Sequence, residues 1–490
     1  MEMIFNQYLK EELTIDEIQD AMNNGEITSK ELVMFYLDRI AKYDQDGPKI
    51  NSIIEINPHA IFIAEGLDHE RKTKGAKGPL HGIPVLLKDN IETNDSMHTS
   101  AGTLALENHI SSRDATLVEK LRQAGAVILG KTNMTELANA MSREMWAGYS
   151  SRGGQTLNPY GPGEYFIGGS SSGSAAAVAS NFTVLSVGTE TDASILSPAV
   201  QNSIIGIKPT VGLISRTGII PFTYSQDTAG PFARTVTDAA VLLGALTGVD
   251  PQDPATFKSD GRAEQDYTSY LDRNGLNGAR IGVYNADYYD YYQSGEYDEN
   301  LFNQVMERLR LEGAEVIEEI EIPSFHRDWS WGVPTYEMKH SFNNYLSKLP
   351  AQLPVHTDSE LIQFNRNHEE RTLKYGQNML EFREKLPNML RNPEYLKARL
   401  EDMYFSQDQG LDYALKKYNL DAILFPSYIG STISAKAGYP SIALPAGYME
   451  NGRPFGISFA AGAFCEGMLI KLGYAFEQAT KHRKMPTFTL

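Results

Sequence analysis

Two glycine- and serine-rich segments carry the residue types needed for nucleophilic chemistry. The first is Gly168-Gly169-Ser170-Ser171-Ser172-Gly173-Ser174, which runs into the small-residue stretch AAAVAS. The second is Gly188-Thr189-Glu190-Thr191-Asp192-Ala193-Ser194, which follows the apolar run FTVLSV and places Ser194 24 positions after Ser170. A serine just past a strand end, in a turn of small residues, projects its hydroxyl from a sheet, and successive N–H groups around it can line an oxyanion site. Serine is a weak nucleophile without a base. Neither segment holds a histidine, and the candidates His81 and His98 lie around Lys88 instead. The other possible base is a lysine. Lys88 ends the apolar run IPVLL, so its amine emerges from a buried strand; burial disfavours the ammonium form, and a neutral lysine can take a proton from serine. Lys131 (after AVILG) and Lys208 (after IIGI) are placed alike, and the residue pattern alone leaves the three open. The first segment also reads as a phosphate cradle at a helix N-terminus. It lacks both the Gly-Lys-Ser/Thr ending of a P-loop and the spacing of a dinucleotide turn.

The elements that must position these residues follow from the patterning. Thr14-Ile-Asp-Glu17 and Thr28-Ser-Lys-Glu31 fit the capping box, with Gly25 between them, so the chain opens with a helical pair. From about residue 79, GIPVLLKDN reads as a buried strand, Asp114 to Ala124 as a helix stopped by Gly125, AVILG as a strand, and NMTELANAM as a new helix. This alternation implies βαβ units and a largely parallel sheet. Residues 147–174 are glycine- and serine-rich and irregular, as functional segments often are. Further strands are expected at 204–208, 279–284, 421–426 and 441–445, helices over most of 335–418, and loops over 250–279 and the Tyr-rich, acidic 286–298.

Composition bounds the class. Of 490 residues, 44 are Lys or Arg and 62 are Asp or Glu, a net charge of −18, which gives no general field to attract a phosphate backbone. Cys465 is alone, so there is no intrachain disulfide and no cysteine-based zinc cluster, and a lone thiol suits a reducing compartment. The N-terminal stretch carries acids where a signal peptide needs a basic region, and no apolar run approaches membrane length. A soluble, cytoplasmic globular protein without a membrane or nucleic-acid partner is therefore expected, and composition does not say what it does.

The ordered blocks HGIPVLLKDN, GKTNMTELA, RGGQTLNPY, GGSSSGSAAAVAS, GTETDASILSPA, GIKPTVGLISRTGIIP and SQDTAGPFART, from about residue 80 to 235, resemble the amidase signature family of serine hydrolases. Weaker agreement continues in DAILFPS and AGYPSIALPAGYMENGRPFGISF. The resemblance implies an α/β fold with a large mixed, mostly parallel central sheet surrounded by helices. It implies a single domain over 1–490, with N-terminal helices (1–75), signature core (76–240), a variable helix-rich part (250–420) and a C-terminal part of the core (421–490). It implies hydrolysis of a carboxamide, small or peptidic, to acid and ammonia, without metal or cofactor. By position, Lys88 corresponds to the general base, Ser170 to the bridging serine after a cis peptide bond, and Ser194 to the nucleophile that forms the acyl-enzyme. Thr191, Asp192, Ala193 and Ser194 supply the oxyanion N–H groups, with Ser170 beside the substrate. Relatives often dimerise through the first helices, so a monomer or homodimer is expected.

Two departures stand out. Many members carry Asp-Thr-Gly-Gly-Ser-Ile-Arg around the nucleophile, whereas this chain carries Glu190-Thr191-Asp192-Ala193-Ser194-Ile195-Leu196, a form similar to the peptide-amidase branch. Ala193 thus occupies a glycine position, which costs strain if that position needs positive φ. Leu196 replaces an arginine, which argues against one alternative, the catalytic component of a tRNA-dependent amidotransferase. The other alternative is a non-catalytic homologue, motivated only by Ala193. Asp227 and Gln155 are read as loop hydrogen-bonding residues, and the pocket walls are expected from the middle segment.

Overall fold

The computed structural model describes residue 9 and residues 12–284, 297–329, 331–387 and 390–488; the Tyr-rich stretch read as a loop lies almost wholly outside them. The opening helical pair is present as Ile15–Asn23 and Ser29–Arg39, each with the reciprocal capping box its sequence announces. Thr14 and Thr28 accept from the N–H groups of Glu17 and Glu31, whose carboxylates accept from the threonine N–H groups at 2.8 Å.

An 11-stranded sheet organises the described residues. In chain order its strands are β1 (Ile53–Ile56), β2 (Pro84–Lys88), β3 (Val127–Thr132), then, after a small separate hairpin of β4 (Tyr149–Ser150) and β5 (Gly154–Gln155), β6 (Leu185–Glu190), β7 (Ile205–Lys208) and β8 (Thr228–Ala233). The remaining strands are β9 (Arg280–Val283), β10 (Glu315–Ile317), β11 (Ala422–Pro426), β12 (Ser441–Tyr448) and β13 (Pro454–Ala460). Their order across the sheet is β1-β3-β2-β6-β8-β7-β12-β13-β11-β9-β10. Every residue of β2, β3 and β6 is buried. Continuous apolar runs are what strands covered on both faces require, and helices such as Ser172–Ala179 supply the cover with none of their own residues exposed.

The mixed sheet wrapped by helices is as expected, although parallel pairing takes a smaller share than strand–helix alternation suggests. β3, β2 and β6 are mutually parallel, as are β11, β9 and β10. Through β8, β7, β12 and β13 the pairing is antiparallel. Here the connections decide: β12 and β13 are joined by a tight turn with Gly452 at φ 86°, and strands so close in sequence cannot run parallel. The helix read at NMTELANAM is also absent. Residues Glu136–Asn139 form a short 3₁₀ turn with Leu137 and Ala138 at φ 50° and 55°. Long-range bonds override helix propensity there: Thr135 N–H donates to Ser170 O, and Leu137 N–H to Ala101 O.

The middle of the chain contributes the helices Gly332–Leu346, Asp358–Asn367, Asn378–Glu384 and Pro393–Ser406. Arg383 and Asp358 pair among them in bidentate fashion, at 2.9 and 2.7 Å, both fully buried. Among the described residues no helix is long and apolar enough to cross a membrane. Asp358→Ala strands a buried guanidinium and should cost about 3–5 kcal/mol in urea unfolding, whereas replacing both partners by apolar residues should restore most of it. An unshifted midpoint in the single variant would show that the pair does not hold these helices.

Candidate active site

β2 and β6 run side by side and parallel, in a register that pairs Leu87 with Val187. Both therefore end at the same edge of the sheet, where ligands of α/β proteins bind. Lys88, the last residue of β2, is fully buried beneath that edge. Its Nζ lies 2.8 Å from Ser170 Oγ, 2.9 Å from Ser171 Oγ, 2.9 Å from Thr189 Oγ1 and 3.1 Å from Thr189 O. Ser170 Oγ is in turn 3.0 Å from Ser194 Oγ. The peptide bond from Gly169 to Ser170 is cis. Three residues far apart in sequence thus form one hydrogen-bonded row, amine to hydroxyl to hydroxyl.

The competing candidates lie elsewhere. Lys131 Nζ donates to Ile91 O and Thr99 Oγ1, and Lys208 Nζ reaches Ser434 O at 3.5 Å; neither contacts Ser170 or Ser194. His81 is held by Leu67 O and His98 by Glu55.

Burial lowers the Lys88 amine to about 7, against the opposing pull of the Asp227 and Glu190 carboxyls. A neutral amine has two N–H donors and one lone pair. Ser171 Oγ gives its proton to Thr189 O at 2.9 Å, so toward Lys88 it can only accept. Thr189 Oγ1 also receives Asn90 Nδ2 at 3.0 Å. The amine's N–H groups are thereby directed to Ser171 and Thr189, and its lone pair is left for the Ser170 hydroxyl.

The turn after β6 is fixed by carboxylates. Glu190 Oε2 accepts from the N–H groups of Ile195 (2.6 Å) and Leu196 (3.0 Å), and burial raises this carboxyl to about 7. Asp227 accepts from Thr191 Oγ1 at 2.7 Å and from the N–H groups of Phe222 and Thr223. Asp192 accepts from Thr432 Oγ1 at 2.9 Å. Ala193 sits at φ 61°, so the position does need the left-handed conformation that favours glycine. Among the described residues, the N–H groups of Thr191, Asp192, Ala193 and Ser194 have no hydrogen-bond acceptor, so they are available to an oxygen placed before the turn. Gln155 donates to Ala147 O and Thr156 O, the loop role read for it. Glu190, Ser171, Thr189 and Asn90 were not legible as site residues. Their only signal was position within the motif blocks: the partners of Ser171, Thr189 and Asn90 are distant in sequence, and the nearby ones of Glu190, Ile195 and Leu196, are backbone groups that no residue type marks.

A cavity of about 240 Å³ opens beside Thr189 and Thr191, walled by Leu137, Ile220, Phe222, Met338 and Phe342 among others. Among the described residues most of its wall comes from residues 90–228, and the middle segment adds five, including Met338 and Phe342. The left-handed turn at Leu137 places that residue and Ala138 in the wall of this cavity. Among the described residues no group of three or more His, Cys, Asp or Glu side chains is arranged to hold a metal ion.

The sequence pattern of the amidase family matches residues 31–470. The chain is similar to the native peptide amidase from Stenotrophomonas maltophilia, at 40% identity and a TM-score of 0.91 over 99% of this chain and 100% of that one. It is equally similar to an amidase family protein from Bacillus anthracis (40% identity, TM-score 0.91, 97% of this chain and 92% of that one). A putative amidase from Schizosaccharomyces pombe is 36% identical over 98% of this chain and 87% of its own length. The chain belongs to the amidase family and is an amide-hydrolysing enzyme of the amidase signature fold.

Proposed function

We propose that this enzyme hydrolyses an uncharged carboxamide, small or peptidic, through an acyl-Ser194 intermediate, with Ser170 as proton relay and Lys88 as base. The observation that carries this reading is the row Lys88–Ser170–Ser194, ending beside four free N–H groups. Ser194 Oγ attacks the amide carbon while its proton passes to Ser170 and the Ser170 proton to neutral Lys88. The oxyanion is held by the turn N–H groups, each worth about 3–4 kcal/mol in comparable hydrolases. When the tetrahedral adduct collapses, Lys88 returns the proton through Ser170 to the departing nitrogen, and ammonia leaves. Water then repeats the sequence on the ester, releasing the acid. The cavity beside Thr191 suits an apolar side chain of the acyl group.

We infer that the chain works as one amidase unit, as a monomer or homodimer in a reducing, cytoplasmic setting, without nucleic acid, metal or cofactor. Leu196 supports this over a role in a tRNA-dependent amidotransferase. It is buried where many relatives carry arginine, so it offers no charge to an acidic substrate.

Ammonia release from a panel of amides tests the reading. Ser194→Ala should lose at least about 10⁴-fold in kcat, and retained turnover would overturn the nucleophile. Because only the neutral form of Lys88 accepts a proton, and its conversion centres at about 7, activity should climb from pH 6 to 8 and level off above. A profile flat from pH 6 to 9 would remove the titrating lysine. Ala193→Gly relieves a left-handed alanine and should stabilise the fold by about 1 kcal/mol in urea unfolding, while widening the space before the turn. A loss of stability would show that the alanine is not strained.

A further inference from the structure

Residues 222–227 form an irregular loop before β8, and none of their N–H groups has a backbone acceptor among the described residues. Side chains take up all six. Asp227 Oδ2 accepts from Phe222 (2.7 Å) and Thr223 (2.8 Å), and Thr223 Oγ1 from Gln226 and Asp227 (both 3.1 Å). Glu337 Oε2 accepts from Tyr224 and Ser225 (both 2.9 Å). Asp227 and Thr223 belong to the loop itself, so Glu337, 112 positions from Ser225, is its acceptor from outside. Glu337 is buried, and it also accepts from the Ser225 hydroxyl at 2.8 Å and, through Oε1, from Tyr395 Oη at 2.9 Å. One helical turn on, Ser341 Oγ donates to Phe222 O at 2.8 Å. A loop without its own backbone bonds keeps one shape only where such partners hold it. Both sides of this junction face the cavity beside Thr191. The helix Gly332–Leu346 carries Glu337 and Ser341 and gives Met338 and Phe342 to the wall, and the loop gives Phe222, Thr223 and Tyr224. At its far end the loop is tied to the nucleophile's turn: Asp227 accepts from the Thr191 hydroxyl at 2.7 Å, and Gln226 Nε2 donates to Thr191 O at 3.1 Å.

We propose that Glu337 is a positioning residue for substrate selection: with Ser341 it locks loop 222–227 onto the helix Gly332–Leu346 and so sets the shape of the cavity that receives the side chain of the acyl group. This rests on the cavity being the acyl side-chain site. The hydrogen bonds of Glu337 go to the loop and to Tyr395, and none reaches Lys88, Ser170 or Ser194. Without its carboxyl group the Tyr224 and Ser225 N–H groups lose their acceptor, and the loop parts from the helix at that point. The Asp227 end stays bonded to Thr191, so the turn that carries Ser194 keeps its anchor. The wall built jointly by loop and helix opens, while the row Lys88–Ser170–Ser194 is left alone. A bulky apolar side chain then loses its close packing, and an amide without a side chain loses little.

Steady-state kinetics on N-acetyl-phenylalaninamide and N-acetyl-glycinamide, which differ only in the side chain, read the effect. The native enzyme should favour the first by at least about 10-fold in kcat/KM. Glu337→Ala should cut that preference about 10-fold, with the loss in KM for the phenylalanyl amide and with kcat for the glycyl amide within about 3-fold of the native value. Glu337→Gln presents an amide oxygen to the loop and an NH2 group to the Tyr395 oxygen, so it should keep the preference. The proposal is overturned by an unchanged preference in Glu337→Ala, or by an equal loss on both amides, as a general weakening of the fold would give. A Glu337→Gln enzyme no better than Glu337→Ala overturns it as well. Should Glu337→Ala not fold, Ser341→Ala, which removes the other bond from helix to loop, should lower the preference about 2- to 10-fold, and an unchanged preference there counts equally against it. A native enzyme that does not favour the phenylalanyl amide removes the cavity as the side-chain site, and this role with it. A native enzyme that does, beside an unaffected Glu337→Ala, removes only the role of Glu337.

Discussion

The site depends on taking the Lys88 amine out of water. At the end of a strand buried on both faces, the ammonium form loses its hydration, and the surrounding oxygens of Ser170, Ser171 and Thr189 replace it only in part. Burial outweighs the two nearby carboxyls, and the amine titrates near neutrality instead of in the ordinary lysine range. A fully solvated lysine would be a cation unable to accept a proton; one buried against a closer carboxylate would be held charged. The depth of β2 in the sheet, between β3 and β6, therefore sets the chemistry that the two serines can take part in.

The sheet supplies the rest by register. Because β2 and β6 are parallel neighbours, their ends fall together, and the turn after β6 brings Ser194 to the same edge as Lys88. The loop carrying Ser170 is pinned from the other side, with its carbonyl accepting from Thr135 N–H and Ser171 N–H donating to Ser194 O. Those bonds also explain why the segment after β3 abandons the helix its residues favour: its backbone groups are committed to the Ser170 loop and to Ala101 instead of to each other. The cavity wall at Leu137 and Ala138 is a by-product of that commitment.

Around the turn, a shell of carboxyls organises the backbone. Glu190, Asp192 and Asp227 each take up hydrogen bonds that would otherwise leave the turn free to move. Ala193 is accepted in a left-handed conformation because its neighbours on both sides are tied down in this way.

The sequence by itself determined the element pattern at its strongest points: both capping boxes, the buried strands ending at Lys88 and Lys208, and the short helix after the Gly/Ser segment, all of which rest on local chemistry. Through ordered motif blocks it also pointed to Lys88, Ser170 and Ser194, although by residue type Lys131 and Lys208 qualified equally. Residue type left the three lysines open and the motif blocks singled out Lys88, but the contact itself is tertiary, because a serine 82 positions away is brought to the amine by strand order and not by spacing. The same holds for the antiparallel centre of the sheet and for the walls of the cavity. Each depends on which segments the long-range pairings bring together, and a local pattern carries no record of a partner distant along the chain.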